Sequence, residues 1–110
     1  MKKDDTVYLQ HMLDAIHRIE TYTGGVPKEK YLDDGLLQDG VVRQLEIIGE
    51  ASNGLSEKFK EKHSEIPWGQ ILGLRNRIVH AYFEINLEIT WDIVQGDVPE
   101  LKQQLERILF

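Results

Sequence analysis

Leu37, Val41, Leu45, Ile48, Ser52 and Leu55 recur every three or four residues, the spacing that returns to one face of a helix. No other feature limits the fold more. So long an apolar helical face must be covered by another apolar surface. No part of the chain alternates apolar and polar residues at the two-residue period of a half-buried strand. The spacing predicts a helix over about Asp33 to Lys60. Gly35, Gly40, Gly49 and Gly54 fall inside it, each costing roughly 1 kcal/mol against alanine. Gly49 and Ala51 are therefore read as a place where another helix comes close, with a bend in the helix as the alternative.

The rest of the chain follows the same period. A first helix is expected from about Asp5 to Tyr22, with Val7, Met12, Ile16 and Ile19 marking its buried face and Tyr8, Leu13 and Ala15 widening it. The stretch "TGGVP" stops it, because glycine and proline punctuate strongly. After "HSEIPW", Pro67 suits a first helical turn, and a third helix is expected from Pro67 to about Phe83. Asn86 can cap a fourth, from Leu87 to about Gln95. "DVPE", Asp97 to Glu100, reads as a capping box that opens a last helix through Leu109. The expectation is one all-α domain over residues 1–110: an antiparallel bundle of four main helices, the last interrupted near Gly96.

Several chemistries are disfavoured at once. The chain lacks cysteine, which removes disulfides, thiolate metal ligands and a thiol nucleophile and fits a reducing compartment. No apolar run approaches the roughly 18 residues of a membrane span. The amino end, "MKKDDTVYLQ", lacks the apolar core of a signal peptide. A cytoplasmic location away from membrane is expected. His11, His17, His63 and His80 do not form the His-x-x-x-His spacing that puts two ligands on one helical face. No metal site and no cofactor are therefore expected, and no phosphate-loop glycine pattern occurs. Glu46 and Glu50 share a face, and an ion pair from Arg43 to Glu46 within the helix is preferred to paired-acid catalysis.

The net charge is −6, which argues against indiscriminate nucleic-acid binding. Its distribution is uneven. Residues 58–80 hold five basic and two acidic side chains, while the segments before and after are both acidic. This distribution fits a local anion site on an acidic body, but charge counting alone favours a plain solvated patch.

That basic segment ends in "LRNRIVHAYF", Leu74 to Phe83. A core helix does not need Arg75, Asn76, Arg77, His80 and Tyr82. Metal-free cleavage of an RNA phosphodiester needs a base for the 2′-hydroxyl, an acid for the leaving 5′-oxygen and a cation for the transition state. Histidine titrates in the useful range, and arginine offers a fork matched to phosphate oxygens. On an ideal helix Arg75 and His80 diverge by about 140°. Either the helix loosens near His80 or a second copy completes the site. The plainer account, solvated arginines with His80 at a helix end and Tyr82 in the core, stays open on spacing alone.

Arg75-Asn76-x-x-x-His80-x-Tyr82 resembles the Arg-x-x-x-x-His-x-Tyr motif of HepT-like toxin ribonucleases with the HEPN fold. "LLQDGVVRQLEIIGEASNGL", Leu36 to Leu55, is similar to that family's second helix. "IPWGQILGLRNRIVHAYFEIN" and "WDIVQGDVPELKQQLERIL" resemble its motif region and closing segment. The resemblance implies a homodimer with facing motifs and metal-independent endonucleolytic cleavage of RNA. Arg75 and His80 would be catalytic, Asn76 supporting and Arg77 touching RNA. It also implies a minimal nucleotidyltransferase antitoxin that transfers AMP to Tyr82, giving O-AMP-tyrosine. Charge and bulk there would exclude RNA. The alternative is a noncatalytic HEPN module that binds such a partner or a nucleotide.

Overall fold

The computed structural model describes residues 3–80 and 84–110, with Lys3, His80 and Glu84 described by their backbone alone. It is all-α, as expected. Its helices are α1 (Lys3–Thr23), α2 (Lys28–Asp33), α3 (Gly35–Gly54), α4 (Glu57–Lys62), α5 (Trp68–Leu72), α6 (Leu74–Ile78), α7 (Leu87–Asp92) and α8 (Val98–Leu109). A two-residue antiparallel ladder joins β1 (Val79–His80) to β2 (Glu84–Ile85). No helix among the described residues is long and apolar enough to cross a membrane.

The long pair α1 and α3 forms the centre of the packing. Leu9, Met12, Leu13, Ile16 and Ile19 of α1 are buried against Val41, Leu45 and Ile48 of α3. Val7 was expected on this face but is 46% exposed, and Leu9 takes the buried place instead. The face is set by the stripe from Leu9 to Ile19, and Val7 falls outside it. Gly54 lies under the ring of Tyr8, where any Cβ would collide with the aromatic carbons.

The stretch expected as one helix from Asp33 to Lys60 is two, with a separate short helix before them. Asp34 caps α3, its carboxylate accepting from Leu37 N at 3.1 Å. α3 ends at Gly54, and Ser56 caps α4 by accepting from Phe59 N at 3.2 Å. The break is tertiary in origin. Ser56 N donates to Asp5 Oδ1 at 2.8 Å, and its Oγ donates to Asp5 Oδ2 at 2.9 Å. Asp5, 51 residues away, thus takes the amide that an uninterrupted helix would use internally.

The helix expected from Pro67 to Phe83 also divides. Gly73 separates α5 from α6, and α6 ends at Ile78. The Ile78 carbonyl accepts from Asn86 N at 2.7 Å. That oxygen therefore serves the returning strand. Asn86 also caps α7 as expected, accepting from Ile89 N at 3.0 Å.

The interruption near Gly96 is a π-helical turn, Ile93–Asp97, continuous with α7 and α8. The expected capping box does not form. Asp97 has helical dihedrals and caps nothing with its side chain. Tyr31 of α2 is fully buried against Trp91, with ring centroids 5.3 Å apart. Burial pushes its phenol up to about 12. Its Oη lies near Thr90 without making a hydrogen bond of good geometry.

Candidate active site

The site begins with the packing of α5 and α6 on α3. A Cβ at Gly49 would lie 3.3 Å from the Ile71 carbonyl oxygen. Glycine there lets the two backbones approach, as its place in α3 suggested. On α6, Leu74 and Ile78 are buried, four residues apart on one face. The intervening Arg75 and Asn76 are thereby turned outward and exposed, with Arg77 partly covered.

Both arginines meet carboxylates. Arg75 Nη1 lies 3.9 Å from Glu46 Oε2, one turn of α3 before Gly49, with the Arg75 side chain 63% exposed. Arg77 Nη1 donates to Asp97 Oδ2 at 2.9 Å. The π turn therefore ends on a residue that holds the motif helix. Arg43 was expected to pair with Glu46 but reaches Glu50 instead, at 3.4 Å. Glu46 is turned toward α6 and is claimed by Arg75. Leu72, Glu46, Glu50, Asn53 and Arg75 line an open groove of about 520 Å³.

His80 does not continue α6. The chain turns extended at Val79, and the His80 backbone pairs with Glu84. The 140° divergence computed for an ideal helix therefore does not apply, and Asn76 and His80 do not share a helical face. The His80 side chain and all of Tyr82 lie outside the described residues. The structure thus brings Arg75, Asn76 and Arg77 onto one short helix and sends His80 onto the strand that follows.

Sequence reasoning missed Glu46 and Asp97 as partners of the motif arginines. Glu46 had been assigned to an in-helix pair and Asp97 to a cap, and nothing local contradicted either. No group of three histidine, aspartate or glutamate side chains able to hold a metal ion occurs among the described residues.

Residues 12–108 match the family model described as ribonuclease HepT-like. A protein of Thermococcus cleftensis named "probable ribonuclease HepT" is 39% identical over 108 residues, covering 98% of both chains. A "putative RNase" of Caldanaerobacter subterraneus subsp. tengcongensis is 39% identical over 102 residues, covering 93% of this chain and 91% of the relative. A Methanocaldococcus jannaschii protein named "gamma-glutamylcyclotransferase and putative RNase" is 38% identical over 109 residues. The chain spans 99% of itself but only 49% of that relative. No solved structure matches the chain.

Proposed function

The chain belongs to the HepT-like ribonuclease family, and from that premise we propose that it is the toxin of a toxin–antitoxin pair, an endoribonuclease that needs no metal. One observation carries this reading. α6 is anchored by Leu74 and Ile78 and presents Arg75, Asn76 and Arg77 outward, and the chain leaves the helix just before His80. A phosphate held by arginine on a helix, beside a histidine on the next strand, is a workable arrangement for transesterification.

In that reaction the 2′-oxygen loses its proton to one imidazole and attacks phosphorus. The bond from phosphorus to the 5′-oxygen breaks, and that oxygen takes a proton from a second imidazole. The products are a 2′,3′-cyclic phosphate and a 5′-hydroxyl. Two histidines are available if two copies place their motifs face to face as a homodimer. Leu72, 42% exposed in the groove beside Arg75, is apolar surface of the kind a second copy would cover. Arg75 neutralises charge on the pentavalent phosphorus. Asn76 supports it, and Arg77 contacts the RNA backbone once it exchanges Asp97 for phosphate. Tyr82 is the acceptor through which a minimal nucleotidyltransferase antitoxin adds AMP and closes the site to RNA.

The decisive experiment is RNA cleavage in excess EDTA. Wild type cleaves, and His80→Ala falls by on the order of 100-fold or more. A wild type that leaves RNA intact under these conditions, and that binds the nucleotidyltransferase, would move the chain to a noncatalytic module. The antitoxin step is read by intact mass after incubation with partner and ATP. Wild type gains AMP, Tyr82→Phe gains none, and AMP on the Phe variant would place the acceptor elsewhere.

A further inference from the structure

The basic segment from residue 58 to 80 does not act as one patch. Its arginines go to the motif helix, and its lysines go to α4. Lys58 and Lys62 are four apart and share a face of that helix. With His63 they form one wall of a cleft of about 770 Å³, and Arg107 and Gln104 of α8 form the opposite wall. Phe59 and Ile108 supply its apolar surface. α4 is fixed in place by the packing of Phe59 on Trp68, and by Trp68 Nε1 donating to the His63 carbonyl at 3.0 Å.

Of the two acids in this cleft, Asp5 is engaged and Glu65 is exposed. Both carboxylate oxygens of Asp5 accept from Ser56, and Asp5 is 2% exposed. Glu65 faces His63 Nδ1 at 3.6 Å. The cations differ. Lys28, Arg43, Lys60, Arg75, Arg77 and Lys102 each have a carboxylate within ion-pair distance. Lys58, Lys62 and Arg107 have none among the described residues, and nor do Arg18 and Lys30. Of the five cations without a partner among the described residues, three therefore converge on one concavity of an acidic protein, where a scattered solvated set would not collect.

Gln104 lines this cleft and also a separate, mostly apolar hollow of about 170 Å³ whose wall includes Arg77 and Asp97. Asp97 and Arg107 are ten residues apart along α8 and its π turn, about 15 Å at the helical rise. A strand of a few nucleotides covers that length.

The geometry points to a second phosphate subsite: the cleft between α4 and α8 holds the backbone of single-stranded RNA away from the motif, with Lys58, Lys62 and Arg107 as its cations. The choice of RNA as the polyanion rests on the ribonuclease reading above. The subsite captures the strand at one end of α8, and the π turn at the other end of that helix carries Asp97, the partner of Arg77.

The test uses the full chain and a single-stranded 2′-O-methyl RNA, which lacks the nucleophile for cleavage, so binding is read alone by fluorescence anisotropy. The double variant Lys58→Glu/Lys62→Glu weakens binding on the order of tenfold, and its log–log salt slope falls by about 1.4, the loss of two single-strand phosphate contacts. Arg18→Glu/Lys30→Glu changes net charge equally, outside the cleft, and weakens binding less than twofold. Arg107→Glu, on the other wall, gives an independent loss should the double variant not fold.

Equal weakening by both double variants, or none by either, overturns the subsite. So does a poly-glutamate peptide that displaces the RNA better than an equal length of RNA does, which would assign the cleft to an acidic protein. The two readings fail separately. Wild type that binds this RNA but leaves ordinary RNA uncleaved sinks the ribonuclease and keeps the subsite. Wild type that cleaves RNA, with the lysine variant binding as tightly, does the reverse.

Discussion

The cations of the motif helix and those of the α4–α8 cleft are in different states. On the motif helix, Arg75 and Arg77 stand against Glu46 and Asp97. In the cleft, Lys58, Lys62 and Arg107 line the walls without partners among the described residues. An arginine beside a carboxylate has a weakened field, which suits positioning a phosphate once it arrives. An unpaired lysine has a loose direction and an uncompensated field, which suits attracting the strand in the first place. The motif pairs are exposed, so each is worth only about 0–1 kcal/mol. A phosphate can displace either carboxylate at small cost. Division of labour between positioning and capture is what the contrast teaches.

The strongest way to break this comparison is at Arg75. Arg75→Ala should lower RNA cleavage by on the order of 100-fold or more, while affinity for the uncleavable RNA falls by only a few-fold. A loss of affinity as large as the loss of rate would mean that Arg75 captures the strand, and the contrast would collapse.

A smaller effect is expected at the joint beneath the motif. Gly49→Val pushes a side chain against the Ile71 carbonyl, which a Cβ alone would approach to 3.3 Å. Stability should fall by about 1–3 kcal/mol, measured by thermal melting. Cleavage should fall with it, because α5 and α6 must shift, while RNA binding through the α4–α8 cleft persists. Loss of binding in a folded variant would show that the two sites are one rigid unit.

The mildest change is Glu46→Gln, which removes the carboxylate facing Arg75. RNA affinity should rise a few-fold, with stability changed by less than about 1 kcal/mol. If affinity falls instead, Glu46 orients Arg75 rather than competing with phosphate for it.

Much of this protein was legible along the chain. The three-and-four spacing on α1 and α3, the stop at "TGGVP", the cap at Asn86 and the motif itself are local signals, and local signals are what a sequence records. Helical hydrogen bonds span four residues, and a helical face repeats every 3.6. Class and core faces follow from such short periods, and the resemblance to the family follows from the motif and the segments around it. Even so, Val7 was put on the buried stripe in place of Leu9. A single apolar residue in the first turns of a helix fixes the phase of the stripe only loosely.

What only the tertiary structure decided depends on partners far away in sequence. Asp5 captures the Ser56 amide and ends the long helix early. Asn86 captures the Ile78 carbonyl and puts His80 on extended backbone. Glu46 and Asp97 leave the local roles that spacing suggested for them and hold Arg75 and Arg77. Lys58 and Arg107, almost fifty residues apart, become two walls of one cleft. The first three are competitions between a local partner and a distant one for the same polar group, and the last is a meeting of distant helices. Periodicity describes only the local competitor, and a buried donor or acceptor goes to whichever partner the folded chain brings within reach.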